Sequence, residues 1–212
     1  PVGLIKARVA VDHCKAKSVT ITNVPSFLLY GDVDADVPGL GKVKFDIAYG
    51  GNFALLINSK YFGVDIEPEN LPVLIEKANI LNDWVNANME VKHPTMPDVS
   101  GVAMIEVYGP AKSADANYQD CVIFGHSIDR SPCGVGTCAK MATLVAKGEL
   151  NIGDNFVYES IIKTKFSGRP IEKTKVGDYD AIIPEISAAA FITGFNHFVF
   201  DEDDPVLYGF RV

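Results

Sequence analysis

The chain has 212 residues, 48% of them apolar and 10% aromatic, which is enough hydrophobic material to build a real core. Its formal net charge of −8 argues against a nucleic-acid partner, because such binding depends on Lys and Arg clusters that neutralise phosphates. The longest apolar runs are about ten residues, roughly half of what a membrane-spanning helix needs. The first eleven residues alternate like a strand and do not resemble a signal peptide. We therefore expect a cytoplasmic protein with no membrane partner.

The first part of the chain is predicted to consist mostly of strands. Residues 3–11 and 18–24 alternate apolar and polar side chains on either side of the polar HCKAK turn, which indicates a β-hairpin. Residues 42–48 alternate again, a double glycine interrupts the pattern, and residues 53–57 are typical of a short buried strand.

A helix of about four turns is predicted next, because apolar residues now recur three and four positions apart. These residues are Leu71, Leu74, Ile75, Ala78, Leu81 and Val85. Pro72 is compatible with the first turn, where its missing N–H has no intrahelical partner in any case.

Two strands, at residues 101–108 and 120–124, then lead into a second helix. Ser131 is a suitable N-cap, Pro132 fits the first helical position, and Gly148 ends the helix. The last sixty residues return to strands. Those strands are predicted at 155–159, 163–166, 179–186, 189–193 and 198–200.

This strand-to-helix junction places Cys133 in the first turn of the second helix. Backbone amides there lack intrahelical partners and the helix dipole favours negative charge, so we expect a thiol with a lowered pKa. The amides of Gly134 and Val135 leave the same helix end and could bind a carboxylate. The alternative interpretation is that Cys133 is only a small buried residue near a helix start.

The other cysteines favour free thiols over a framework of disulfides. Cys121, His126, Cys133 and Cys138 lie within eighteen residues, but none of their spacings matches a zinc ribbon or finger. We therefore predict no metal site, with zinc as the minor alternative. Cys14 lies in the hairpin turn and is expected to be a surface thiol, and Cys138 is expected to pack in the core.

The string DRSPCGVGTCAKMA, at 129–142, is similar to the segment around the second catalytic cysteine of the proline racemase family. NVPSF, DIAYGGNF, SGRPIE and the closing AAAFITGFNHFVFDEDDP and GFRV agree with the family in the same order. The resemblance implies an α+β, diaminopimelate epimerase-like lobe, with a mostly antiparallel sheet wrapped around a central helix. Residues 1–193 would form the second lobe of such a protein, and residues 194–212 would return toward the first lobe.

The resemblance also implies roles for individual residues. Cys133 would be one of two catalytic bases, and the amides of Gly134 and Val135 would hold the substrate carboxylate. Asp129 would contact the substrate's ring nitrogen, and Phe124 would pack against the proline ring. The alternatives are a solvated acid for Asp129 and core packing for Phe124. Val135 stands where threonine is common, which removes a hydroxyl donor, and His126 has no assigned role.

The family's other catalytic cysteine lies in an MCGH motif, which is absent from this sequence. The resemblance therefore implies that this chain supplies one base of a cofactor-independent racemase that interconverts L- and D-proline. It would act with a first lobe supplied by other residues, and a homodimer is possible. A 4-hydroxyproline 2-epimerase is one alternative. A catalytically incomplete lobe that acts as a binding domain is another.

Overall fold

The computed structural model describes residues 4–210, so Gly3, the predicted start of the first strand, and Pro1 lie outside the described residues. The described part has eleven strands and two α-helices. The strands are β1 Lys6–Asp12, β2 Lys15–Thr22, β3 Ser26–Val37, β4 Gly41–Tyr49, β5 Phe53–Asn58, β6 Met104–Pro110, β7 Tyr118–Phe124, β8 Ser127–Ile128, β9 Phe156–Ser160, β10 Lys165–Val176 and β11 Tyr179–Ala188. The helices are α1 Leu71–Asn88 and α2 Gly134–Ala146.

Eight of the strands close into a ring around α2. The order runs from β11 through β10, β9, β7, β6, β5 and β4 to β3, and Ala181 and Ile182 of β11 pair with β3 to complete it. Further along β11, residues Glu185–Ala188 pair with β2, so the β1–β2 hairpin extends from the ring. Only the β5–β6 and β7–β9 pairs are parallel among the pairings between described strands. The predicted α+β fold, a mostly antiparallel sheet around a central helix, is confirmed.

The period-two alternation of strand side chains divides the core into two faces. On β5, Ala54 and Leu56 point toward α2, whereas Phe53, Leu55 and Ile57 pack on the opposite face, which α1 covers. These two faces explain why the strand is apolar at every position, since each face is buried by a different helix.

Helix α1 forms as its periodicity predicts. Leu74, Ala78, Leu81 and Val85 are each fully buried against the outer face of the sheet, and Pro72 lies in the first turn. Full burial of each larger apolar side chain stabilises the fold by roughly 2 kcal/mol. Among residues 4–210, neither helix has the length and apolarity that a bilayer crossing requires.

Helix α2 lies unusually close to the strand wall at its N-terminal half. A Cβ on Gly50 would lie 2.2 Å from the carbonyl oxygen of Val135 and 2.7 Å from the amide nitrogen of Ala139, so only glycine fits there. Just beyond the C-terminal end, the Lys147 ammonium lies 2.7 Å from a carboxylate oxygen of Asp46 on β4. These two contacts fix both ends of the helix that carries Cys133.

Several sequence predictions differ from the structure. The twelve-residue strand β3 was not predicted, because irregular pairing between Leu28 and Val33 breaks its alternation. Strand β10 runs to Val176, well past the predicted 163–166. The strands predicted at 189–193 and 198–200 are wrong, since residues 189–200 adopt no regular structure and pair with no described strand.

Candidate active site

The predicted N-cap is wrong by two residues, because Cys133 itself caps α2. Its carbonyl accepts the first helical hydrogen bond from the Thr137 amide at 2.9 Å, and its φ of 55° lies in the left-handed region. Ser131 still contributes, since its Oγ accepts from the Cys133 amide at 3.2 Å. Ser131 and Pro132 therefore form the turn that precedes the helix, and Cys133 holds a strained backbone conformation of the kind found at functional sites.

The Cys133 sulfur faces the open N-terminal end of α2. Its thiol donates to the sulfur of Met104 at 3.8 Å. The residue is only 7% exposed. The backbone amides of Val135 and Gly136, which have no intrahelical partner, act to lower the pKa of the thiol and so favour a thiolate there.

The pKa of Cys133 nevertheless differs from the sequence expectation. Burial raises it to about 11, and the carboxyl groups of Glu106 and Asp129 act in the same direction, while the two amides oppose the shift. The predicted lowering is wrong for this chain. Desolvation of a buried sulfur next to two acids outweighs the favourable field of one helix end.

Asp129 organises the turn in front of Cys133. One oxygen of its half-buried carboxylate accepts from both the amide and the hydroxyl of Ser131, each at 2.9 Å. Its own amide donates to the carbonyl of Val122 on β7 at 2.9 Å. Asp129 thus has a local structural role in this turn, and its contact to a substrate nitrogen stays a prediction, as does the alternative of a solvated acid.

Phe124 and Gly134 lie on the two elements that adjoin Cys133, strand β7 and helix α2. Phe124, at the end of β7, is 41% exposed. Its side chain lies on the same face of the strand as that of Val122, which packs in one hydrophobic cluster with Cys133. This exposure contradicts simple core packing and leaves the ring available to a ligand. A Cβ on Gly134 would lie 3.0 Å from the side chain of Ile186, so glycine allows β11 to approach the start of the helix.

A buried polar cluster lies inside the ring beneath α2, and sequence reasoning missed it. The Tyr158 hydroxyl donates to Glu106 at 2.5 Å, and the Lys140 ammonium lies 3.1 Å from the centre of the Tyr108 ring. Asp120 is also fully buried. The alternation of Met104, Glu106 and Tyr108 along β6 was the available signal, since it places all three on the face that α2 covers.

Desolvation dominates the ionisation of this cluster. Burial raises the pKa of Glu106 to about 7, raises the pKa of Asp120 well above its ordinary value, and lowers the pKa of Lys140 to about 8. Both buried acids are thus biased toward the neutral form.

The remaining cysteines occupy separate places. Cys14 is exposed in the β1–β2 turn and Cys138 is fully buried on α2, where it accepts from the Asn23 amide group at 3.2 Å, so both predictions are confirmed. Cys121 packs on the outer face with α1, opposite to Cys133. His126 lies exposed in the turn after β7 and stays unassigned. No group of three potential metal ligands occurs among residues 4–210.

The family described as proline racemase matches residues 1–211. The chain belongs to this family. The proline racemase of Clostridioides difficile is 49% identical over 211 residues, which cover 99% of this chain and 63% of that protein. The 4-hydroxyproline 2-epimerase of Ancylobacter novellus is 40% identical over 213 residues, and the match covers 100% of this chain and 64% of that protein. The chain therefore spans somewhat less than two thirds of the length of these relatives.

A solved structure from the proline racemase family has the same fold. The hydroxyproline epimerase of Agrobacterium vitis, with bound trans-4-hydroxy-L-proline, superimposes with a TM-score of 0.90 at 35% identity. The match covers 100% of this chain and 60% of that one. This chain and the solved epimerase therefore share the strand ring and its central helix.

A cavity lies at the C-terminal end of α2, between Val145, Ala146 and Ile182. It is at the opposite end of the helix from Cys133 and contains none of the predicted site residues. We therefore place the candidate site at the N-terminal end of α2, where the strained cysteine and the helix-end amides lie next to strand β7, which ends at the exposed Phe124.

Proposed function

We propose that this chain supplies one of the two bases of a cofactor-independent amino-acid racemase, and that Cys133 is that base. The observation that carries the proposal is the position of Cys133 at the N-cap of α2, in a left-handed backbone conformation and next to helix-end amides that favour its thiolate. Membership of the proline racemase family supports the reaction type.

The proposed step is a proton transfer at the α-carbon of the substrate. The Cys133 thiolate removes the α-proton from one face and becomes the thiol, while a second thiol outside this chain donates its proton to the opposite face and becomes the thiolate. In the reverse direction the two sulfurs exchange roles. Every proton is accounted for, and no redox partner is needed.

Charge that develops toward the substrate carboxylate needs fixed donors in the transition state. We assign this role to the amides of Gly134 and Val135, which lie in the first turn of α2. Asp129 would pair with the substrate ammonium, and Phe124 would cover the ring. The Val135 amide also favours the Cys133 thiolate, so a bound substrate carboxylate would share that amide with the sulfur.

Proline is the substrate that we favour. The proline racemases of Clostridioides difficile and Acetoanaerobium sticklandii are 49% and 50% identical to this chain, whereas the proline racemase A of Trypanosoma cruzi and the Ancylobacter 4-hydroxyproline 2-epimerase are each 40% identical. The second candidate is 4-hydroxyproline, which is supported by the Agrobacterium vitis structure with that ligand. The ratio of kcat/KM for L-proline and trans-4-hydroxy-L-proline separates the two, and a ratio in favour of the hydroxylated substrate would overturn our choice.

We further propose that residues 194–212 pack on the lobe that holds the second base. The described part of this segment and the residues just before it expose large apolar side chains, each at least 75% accessible, which is unfavourable in water unless another surface covers them. They are Phe191, Ile192, Phe195, Phe198, Val199, Phe200, Tyr208 and Phe210. A homodimer stays a prediction.

The test is racemisation of L-proline, followed by polarimetry, in a protein that contains both lobes. Cys133→Ser should lower kcat by about a thousandfold or more, because serine cannot act as the thiolate base near neutral pH. Cys138→Ser is the matched control and should keep its activity. Racemisation that survives Cys133→Ser would contradict the assigned role.

Pyrrole-2-carboxylate, a planar mimic of the deprotonated substrate, should raise the melting temperature of the two-lobe protein. An unchanged melting temperature would contradict a proline site.

A further inference from the structure

We propose that Glu106 is a positioning residue for Cys133: the charge on its buried carboxyl group decides whether the neighbouring sulfur is held as the thiol or released as the thiolate. This inference deepens the proposed function, because it concerns the proton that the base must gain and lose in each turnover.

Glu106 and Cys133 both lie close to Gly136. Glu106 is fully buried on β6, and a Cβ on Gly136 would lie 2.2 Å from its Oε2 and 3.5 Å from the Cβ of Cys133. The amide of the same Gly136 also acts to lower the pKa of Cys133. Met104, two residues before Glu106 on the same strand face, contacts the Cys133 sulfur at 3.8 Å. Gly136 is therefore the residue that lets the acid reach the first turn of α2.

The carboxyl group is incompletely satisfied on the side that faces the helix. Its Oε1 accepts from Tyr158, whereas Oε2 is buried and has no hydrogen-bond partner among the described residues. A buried oxygen without a donor is costly for a carboxylate and favours the protonated form. The second oxygen is therefore free to carry a proton close to the base.

The charges around Glu106 come from every element packed against it. The groups that interact with Glu106 directly are Tyr158 of β9, Tyr108 of β6, Asp120 of β7, and Lys140, Cys133 and Cys138 of α2. Asp46 of β4 and Asp129 of the preceding turn act on other members of this cluster. Lys140 favours the Glu106 carboxylate, but burial opposes it more strongly and raises the pKa of Glu106 to about 7. Burial also raises the pKa of Asp120 well above its ordinary value, so of the two buried acids it is Glu106, with a pKa of about 7, that changes charge near neutral pH. The Lys140 ammonium, whose pKa is lowered to about 8, titrates in the adjoining range.

The direction of the effect follows from this value. Below pH 7 Glu106 is neutral and does not oppose a negative charge on Cys133. Above pH 7 its carboxylate adds a negative charge beside the sulfur and raises the pKa of the thiol. At any given pH, a charged Glu106 therefore favours the thiol form of Cys133, and a neutral Glu106 allows a larger thiolate fraction.

The test is the rate at which methyl methanethiosulfonate modifies Cys133 in the intact protein between pH 6 and pH 9, followed by peptide mass spectrometry. Only the thiolate reacts, so the rate reports its population. The Glu106→Gln rate divided by the wild-type rate should be close to one at pH 6 and should rise to about tenfold at pH 9, which corresponds to roughly one pKa unit from a nearby charge.

Two further variants supply a matched control and an independent test. Glu159→Gln removes a buried carboxylate that binds Ser113 and not α2, so its ratio should stay near one at every pH. Tyr158→Phe removes the hydrogen bond that stabilises the Glu106 carboxylate, so the carboxylate should form only at higher pH. The Tyr158→Phe rate divided by the wild-type rate should therefore exceed one near pH 8. If Glu106→Gln does not fold, the Tyr158→Phe variant provides the test.

A Glu106→Gln ratio that does not change with pH would overturn the proposal, because loosened packing alters reactivity equally at all pH values. The same pH-dependent rise in Glu159→Gln would also overturn it. The measurement contains no substrate, so it is independent of racemisation. Failure to racemise proline would contradict the proposed function and leave the Glu106 result unchanged.

Discussion

Helix α2 and the C-terminal segment 189–210 are both rich in apolar residues, yet they have opposite environments. Every side chain of α2 from Thr137 to Leu144 is buried inside the strand ring, whereas most large apolar side chains of the segment are exposed. The difference lies in what surrounds them. Helix α2 finds its apolar partners within this chain, and the segment finds none among the described residues, which is why we expect its partner to be another lobe.

The largest contrast in stability is expected between two phenylalanines. Phe156 is 1% exposed inside the ring and Phe198 is 88% exposed in the segment. Phe156→Ala should lower the free energy of unfolding by about 3 to 5 kcal/mol through the cavity that it leaves, whereas Phe198→Ala should change it by less than about 0.5 kcal/mol. Urea unfolding of the 212-residue chain measures both. If Phe198 docks on a second lobe, its substitution should become destabilising in the two-lobe protein, and an unchanged value there would contradict docking.

Substitutions at two glycines compare the space available around the backbone in these two regions, independently of hydrophobicity. Gly50→Ala would place a Cβ against the backbone of α2 and should cost about 3 kcal/mol, because the whole helix must shift. In Gly194→Ala the nearest atom outside the neighbouring residues, a side-chain nitrogen of Asn196, would be 3.9 Å away, so the change should be neutral. Thermal unfolding checks the pair. Equal melting temperatures would mean that α2 is not held as closely as described.

The smallest expected effect concerns the pH dependence of stability inside the ring. The pKa of Glu106 is raised from 4.5 to about 7, so between these values the folded protein keeps a proton that the unfolded chain has released. Stability contributed by this group therefore falls as pH rises from 4.5 to about 7 and is level above it. Relative to wild type, Glu106→Gln should gain about 2.5 kcal/mol across this range.

Urea unfolding of Glu106→Gln and wild type at pH 4.5 and pH 7 measures this gain, with Glu159→Gln as the control for loss of a buried acid that contacts no residue of α2. Parallel stability curves for Glu106→Gln and wild type would show that the buried carboxyl group titrates normally.

Local pattern was sufficient for some elements and insufficient for others. The stripe of α1 and the hairpin at β1–β2 were predictable, because both depend on side chains a few positions apart. Strand β3 and the full length of β10 were not, because their pairing partners are distant in sequence and bulges interrupt their alternation. The strands predicted in 189–200 failed for the related reason that β-propensity has no effect without a neighbouring strand.

The candidate site shows the same division. Sequence by itself determined that Cys133 lies where a strand gives way to a helix, with glycines beside it, because turn and helix-start chemistry is local. Only the tertiary structure decided that Cys133 is the cap, that burial raises its pKa, and that Glu106 lies beneath it. Closure of the ring by β11 and β3 brings together residues that are far apart in the chain, and desolvation is a property of that enclosure.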